Sequence, residues 1–522
     1  MEEKLRKLPQ DSEEFTEQFD EQLNLGNKAD PTLTPIDEKL MVGHLHRLQQ
    51  ERQCAQPISP INGQNKIIDK FVETRTRYDF KLNVTRIDID VEKQIVLDEH
   101  GEKSVITGST HHLGPPGYSV TWDFLVNISL LAVNYATPFN RIATMLSSPE
   151  KQFTAGNIGR LLHYIAQRFV LIYLALGDKL CDAGIVLGDD TPIRVLEVTR
   201  YFKQEDNGEQ APWARYETRD KAVESSQLSD NDSLSIDIAC EWGFASQKRN
   251  SQEVKRSFNT TVMAGRLEQS GNCDWIVFYR SHLGHFGNLL TRLLEKRNPK
   301  LNELIVQSDL ASVNNVTDEE LSDKFNITRA GCSSHSRRPF ALYESEAPEQ
   351  CGDILHLFKG LALFEELLTE QGRNKENVTA VRDKYSRFCW QEIKQACHDL
   401  IKDWSPSTKL GTGANYIINH YNALTVYLDE PRLQSSNNFS ERMLRMEKLI
   451  EKNSMFRQTL EGRFALDVLR SVYQTATISG VPLNDYIIDI LKTDPQKIAD
   501  NPEDYTPSNW RQRHLSSASD ID

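Results

Sequence analysis

Three neighbouring stretches decide the fold: Trp275-Ile276-Val277-Phe278-Tyr279, then Phe286 to Lys296, then Glu303-Leu304-Ile305-Val306-Gln307. The first and third are short runs of β-branched and aromatic residues, the composition of strands. The middle one places Leu289, Leu290, Leu293 and Leu294 at helical spacing. Strand, helix and strand in succession predict an α/β layer. The last strand ends just before Asp309, so it delivers that carboxylate at its carboxyl end.

Working upstream, Thr260-Thr261-Val262-Met263-Ala264 reads as a further strand, and so does Ile193-Arg194-Val195-Leu196-Glu197-Val198, directly after Asp189-Asp190-Thr191. The polar segment from Phe202 to Arg256 reads as an insertion or long loop. Residues 119 to 181 are helical, with one helix at Phe139–Leu146 and another from Thr154 through Ile158, Leu161, Leu162 and Ile165. That pair is either a helix-turn-helix or an ordinary αα-hairpin. Alternation in Phe80–Val84 and Ile87–Val91 suggests a small β module over Lys66–Gly108, and Asp37–Arg52 suggests one helix in a flexible N-terminal region. Downstream, Cys351 to Leu428 is helical throughout. Another helix begins near Asn438 or Phe439 and carries Glu441, and Ala465–Leu491 is helical around Gly480-Val481-Pro482. The tail after Asn501 reads as disordered.

At 522 residues the chain is long enough for several domains. It has no stretch near the ~20 apolar residues of a membrane span and no signal-peptide core after Met1, so a cytoplasmic protein is expected. The eight cysteines form no Cys-x-x-Cys pair, which argues against a disulfide framework or a zinc knuckle. The pairs Cys332/His335 and His282/His285 are each either half of a metal site or structural. No Gly-rich phosphate loop occurs, so ATP is not implied. The net charge of −14 counts weakly against DNA binding, because DNA affinity comes from local Lys and Arg contacts to phosphates.

Metal-dependent phosphoryl transfer needs carboxylates that converge on a pair of Mg²⁺ ions. Asp189 beside a strand, Asp309 at a strand end and Glu441 near a helix start are candidates. Arg445, Lys448 and Lys452 follow Glu441 on one helical face. That face is either a phosphate-binding stripe or a solvated surface with an i,i+4 Glu–Arg pair. Arg337 and Arg338 are likewise either phosphate contacts or surface arginines.

Four motifs add a resemblance. Leu187-Gly188-Asp189-Asp190-Thr191-Pro192 looks like the Asp-Glu-Thr motif of insertion-sequence-66-type transposases. Cys332-Ser333-Ser334-His335-Ser336-Arg337-Arg338-Pro339-Phe340 is similar to that family's Cys-x-x-His-x-Arg-Arg-x-Phe element. Ser436-Asn437-Asn438-Phe439-Ser440-Glu441-Arg442-Met443-Leu444-Arg445 resembles its Asn-Asn-x-x-Glu-Arg-x-x-Arg, and Gly480 to Tyr486 resembles its closing pattern. The resemblance covers about residues 118 to 492.

The resemblance implies a ribonuclease-H-like catalytic core, a mixed sheet with flanking helices interrupted by an α-helical insertion. Asp189, Asp309 and Glu441 would bind two Mg²⁺ ions, with Mn²⁺ as the alternative. Arg337, Arg338, Arg442, Arg445, Lys448 and Lys452 would contact DNA. The implied activity is cleavage at element ends and strand transfer into target DNA, by a homo-oligomer on DNA with accessory proteins of the same element. The second reading is a catalytically inactive, transposase-derived DNA-binding protein. A third, a helical scaffold with no DNA role, rests on the acidic charge alone. The expected organisation is a flexible or helical region at 1–60, a β module at 61–117 and a helical region at 118–182. The core follows at 183–345, the helical insertion at 346–435, the last part of the core at 436–495 and a disordered tail at 496–522. After Asp309 the family's Gly-Tyr is replaced by Leu310-Ala311, which predicts a differently shaped loop.

Overall fold

The computed structural model describes residues 84–97, 103–107, 113–203, 258–269, 272–316, 318–370, 373–454 and 457–518. The expected helix at Asp37–Arg52, the start of the β module and nearly all of the polar segment from Phe202 to Arg256 lie outside them. Among the described residues the first elements are the strands of an antiparallel hairpin, β1 (Lys93–Leu97) and β2 (Lys103–Thr107). Residues 87–91, expected as a strand, are exposed and unpaired in any sheet. Three helices follow: α1 (Trp122–Val133), α2 (Phe139–Leu146) and α3 (Ala155–Cys181). A capping box between Thr154 and Asn157 starts α3, satisfying its first free amides. At 27 residues, with Ile158, Leu161, Ile165, Phe169 and Ile172 buried, α3 is a long core helix and not the short second helix of a helix-turn-helix.

Next come β3 (Ile185–Pro192) and α4 (Leu196–Lys203). The strand expected at 193–198 is therefore a correction. The buried run Ile185-Val186-Leu187 makes the strand, Asp189 lies inside it, and Val195 forms only an isolated bridge to Arg457. The remaining core elements are β4 (Asn259–Gln269), β5 (Asn272–His282), α5 (Phe286–Lys296), β6 (Glu303–Gln307), α6 (Glu319–Lys324) and β7 (Asn326–Ala330). Strands and helix at 260–307 fall where the sequence placed them. The five strands form one mixed sheet in the order β5-β4-β3-β6-β7. The β3–β4 and β4–β5 pairs are antiparallel, and β3–β6 and β6–β7 are parallel.

The helical section comprises α7 (Ser333–Leu342), α8 (Pro348–Glu370), α9 (Lys375–Val381), α10 (Arg387–Asp403) and α11 (Lys409–Asp429). It encloses its own core, which reaches the sheet through Ile185, Leu310 and Ala330. Arg382, fully buried, ties its exit. The guanidinium donates to the Glu365 carboxylate at 2.8 Å and to the carbonyls of Glu430 and Leu433 at 3.0 and 2.8 Å. The chain then returns to the sheet as α12 (Asn438–Ser454), whose Phe439, Met443 and Leu444 pack on Leu187, Val262 and Val277.

The last helices are α13 (Leu460–Ile478), α14 (Leu483–Lys492), α15 (Pro495–Asp500) and α16 (Pro507–Ala518). The expected disordered tail is helical as far as residue 518, another correction. Trp510, 4% exposed, packs on Tyr486 and donates its indole N–H to Asp489 at 2.7 Å. One buried aromatic thus anchors a polar sequence.

Strand β5 lies at the edge of the sheet, where unpaired amides invite aggregation. Helix α13 covers it. The N–H groups of Val277, Tyr279 and Ser281 donate to Thr475 Oγ1 (3.0 Å), Ser471 Oγ (2.8 Å) and Asp467 Oδ2 (2.8 Å). Two strand residues advance about 6.6 Å and four helix residues about 6 Å. Side chains four apart on α13 therefore keep step with alternate amides of β5. This explains why α13 buries so many polar side chains.

Candidate active site

Side chains alternate across a strand, so β3 sends its residues to two different places. Leu187 and Asp189 face α12, whereas Val186 and Asp190 face the layer of α3 and α5. Asp190 Oδ2 accepts the backbone N–H of Phe286 at 3.0 Å and lies 3.1 Å from His285 Nδ1. It therefore caps the start of α5. Gly188 lies on that same face, where an added Cβ would fall 1.9 Å from the Phe286 ring. Only glycine lets β3 and α5 approach this closely.

Asp189 has the opposite surroundings. Burial, chiefly, and the negative charges of Asp309, Asp190 and Glu441 together push its carboxyl up to about 7, against a lowering hydrogen bond from the Asp190 backbone. Those charges reach Asp189 because the topology brings them there. In the parallel β3–β6 pair, Leu187 sits opposite Gln307. Two residues further along each strand direction lie Asp189 and Asp309, on neighbours about 4.8 Å apart.

The loop after β6 holds Asp309 in place. Its Oδ1 accepts from the Ala311 N–H (3.0 Å) and the Asn314 amide (2.5 Å), and its carbonyl accepts from the Tyr416 hydroxyl of α11 at 2.6 Å. Leu310, where the resemblance expects glycine, has φ 61°. The backbone thus takes the left-handed conformation that glycine favours, at a side chain that is 6% exposed and packed in the helical core. Such backbone is costly for leucine.

Glu441 arrives in the first turn of α12. Asn437, wholly buried, donates its amide to the Gly188 carbonyl at 3.0 Å and its backbone N–H to Cys332 Sγ at 3.2 Å, and it accepts from Ser440 Oγ at 2.9 Å. Asn438 accepts from Ser334 Oγ at 2.8 Å. The two asparagines thus join α12 to β3 and to the start of α7. That joint sets Glu441 beside Cys332 and His335: Glu441 Oε1 lies 3.7 Å from Cys332 Sγ and 3.2 Å from His335 Nδ1. The Cys332 thiol is pushed up to about 11, chiefly by burial.

The other candidates separate. His282 is buried against Thr261 Oγ1 at 2.8 Å, and burial with the Arg280 charge pushes it down to about 3. His285 sits on Asp190. The His282/His285 pair thus serves the sheet and α5. Arg445, Lys448 and Lys452 are exposed on the Glu441 face of α12, Arg442 is half-buried, and Arg337 and Arg338 are exposed on α7. On the inner side of α12, Glu447 is buried against Arg463 (2.6 Å) and Arg470 (3.0 Å). Burial alone would raise its carboxyl, and the two guanidiniums override that and bring it to about 2. Sequence reasoning passed over Glu447, Asp467 and Tyr416, because nothing local marks which polar residues of a helix turn inward.

Residues 274–464 match the family model described as "Transposase IS66 family". The matched region contains Asp309, Cys332, His335 and Glu441; β3 with Asp189 lies before it. A stretch of 201 residues is 24% identical to an uncharacterized protein, y4jD, of Sinorhizobium fredii, covering 38% of this chain and 39% of that one. The match thus spans well under half of the relative's length. No solved structure matches the chain. Among the described residues, no helix is long and apolar enough to cross a membrane.

Proposed function

We propose that this chain, whose residues 274–464 carry a domain of the transposase IS66 family, cleaves and joins DNA at one end of its mixed sheet, using Asp189, Asp309 and Glu441. The observation that carries the proposal is the convergence of their carriers: Asp189 and Asp309 lie two residues beyond the paired Leu187 and Gln307 of parallel β3 and β6, and Asn437 bonds the start of α12, with Glu441, to Gly188 of β3. Like charges brought together at half-buried positions favour either protonation or a bound cation. Oxygen donors suit Mg²⁺, so the residues present fit the ions the resemblance implies. Magnesium held there would supply activation of the attacking water or 3′-hydroxyl and charge stabilisation at the leaving oxygen.

The chain's own groups do the positioning. Asn437 and Asn438 hold Glu441 against β3, and Tyr416 with Asn314 fixes Asp309. The exposed Arg445, Lys448 and Lys452 lie where a phosphate backbone would pass on its way to Glu441, with Arg337 and Arg338 on the adjoining α7. The strand order, antiparallel across β5-β4-β3 and parallel across β3-β6-β7, supports the ribonuclease-H-like reading.

The test is Mg²⁺-dependent nicking of DNA that carries the sequences flanking the gene. Asp189→Asn, Asp309→Asn and Glu441→Gln should each lower cleavage by at least about a hundredfold, since each removes several kcal/mol of charge stabilisation. Cleavage that survives all three changes at the wild-type rate would overturn the assignment.

A further inference from the structure

The all-carboxylate set leaves one cluster unexplained. Cys332 Sγ, one ring nitrogen of His335 and a carboxylate oxygen of Glu441 all lie within 4.8 Å of one another. We infer that Cys332, His335 and Glu441 form a site for a borderline divalent transition-metal ion such as Zn²⁺, and that filling it withdraws Glu441 from the carboxylate set. The binding stands on geometry alone; the inhibition it implies rests on the function proposed above.

The edges of the cluster have the right lengths. With bonds of about 2.0 Å to nitrogen or oxygen and about 2.3 Å to sulfur, tetrahedral ligands lie about 3.3 Å (N–O) and about 3.5 Å (S–O) apart. The observed separations from Glu441 Oε1 are 3.2 Å to His335 Nδ1 and 3.7 Å to Cys332 Sγ. The His335–Glu441 approach is close, yet His335 Nδ1 has no hydrogen-bond partner. A ring nitrogen and a carboxylate oxygen held this close without hydrogen-bond alignment leave a place for a cation between them when the nitrogen carries no proton.

The frame is rigid on the inner side and open on the outer. Cys332 is the N-cap of α7, and its sulfur is set by the Asn437 N–H. Ser334 and Asn438 tie the same turn to α12. The side chains of His335 and Glu441 are 25% and 20% exposed, which provides an entry path and room for a water as fourth ligand. A thiolate and an imidazole select zinc-like ions over magnesium. On binding, the S–H bond breaks, its electron pair stays on sulfur as the S–metal bond forms, and the proton leaves to solvent; no oxidation state changes.

The experiment is a Co²⁺ titration of the full chain, followed by absorbance, with circular dichroism to check each variant's fold. The wild type should show a saturable thiolate-to-cobalt charge-transfer band at one ion per chain. Cys332→Ser should abolish the band, and His335→Ala should weaken binding by at least about tenfold. Asp189→Asn should leave it unchanged. In the cleavage assay, Zn²⁺ should inhibit, and added Mg²⁺ should relieve it. Should Cys332→Ser fail to fold, His335→Ala decides the matter. No band in the wild type, a band that persists in Cys332→Ser, unaltered affinity in His335→Ala, or loss of the band in Asp189→Asn would each overturn the site. A chain that never cleaves DNA yet shows the expected cobalt series would sink the proposed function and leave this site standing.

Discussion

The Asn437 side-chain amide donates a 3.0 Å hydrogen bond to the carbonyl of Gly188, the residue immediately before Asp189. The helix that carries the glutamate is thereby bonded to the strand that carries the first aspartate. Both ends of the bond are buried, so deleting the amide leaves an unsatisfied carbonyl, at a cost of about 1–3 kcal/mol. Asn437→Ala should lower unfolding stability by that amount in urea, and DNA cleavage should fall further than the lost stability alone explains. A variant with reduced stability but wild-type cleavage would show that the bond does not position Glu441.

Asp189 and Asp190 should respond in opposite directions to the loss of charge. The Asp189 carboxyl, pushed up to about 7, binds its proton more tightly in the folded chain than in the unfolded one. Its contribution to stability is therefore complete below the ordinary carboxylate value and is lost as pH rises through about 7. In metal-free protein at pH 8, Asp189→Asn should stabilise by roughly 2 kcal/mol after allowance for solvent screening, and at pH 4 by little. Asp190→Ala removes a helix cap and should destabilise by about 1 kcal/mol. Thermal unfolding in a chelator, run at both pH values, separates the two.

Glu447 is held ionised at the centre of a buried guanidinium pair. Breaking such a pair from one side leaves buried charge uncompensated, so Glu447→Gln should cost about 3–5 kcal/mol. With its carboxyl at about 2 in the folded chain, the stability it confers is present above the ordinary glutamate range and is lost as pH falls through about 2. Acid titration should show a downturn below pH 4.5 in the wild type that is smaller in the variant.

Thr475→Val keeps the shape of the side chain and removes the acceptor for the Val277 amide. A loss of about 1–3 kcal/mol is expected, and amide exchange at Val277 should accelerate while exchange in β3 follows only the global change. Equal acceleration across the sheet would argue that α13 acts through packing alone.

Much of this architecture was legible in the chain because local signals agreed with it. The leucine spacing of 286–296 and the run at 303–307 fixed two core elements, and the Asn-Asn/Glu-Arg stretch placed the start of α12 to within a residue. The errors share a cause. Ile193–Val198 has strand composition, but the sheet had no vacancy for it once Ile185–Leu187 took the central position. The C-terminal tail is polar on average, and its order depends on Trp510 meeting Tyr486 and Asp489, a contact no local window contains. The choice between Asp189 and Asp190 was legible only as a motif. Strand parity decides their surroundings, turning one toward α12 and the other toward α5.

The helical section between Asp309 and Glu441 has a bearing on when the three carboxylates can first meet. Tyr416 within it braces Asp309, and Arg382 ties down the Glu430–Leu433 segment by which the chain leaves it. During synthesis, the ribosome must therefore release the chain well beyond residue 441 before Glu441 can dock on β3. Contacts of such long sequence separation close late in folding. A nascent or truncated chain that ends inside this section carries both aspartates and no glutamate to complete them. Under the function proposed above, this order would build in a delay: an unfinished copy would lack the third carboxylate for cutting DNA.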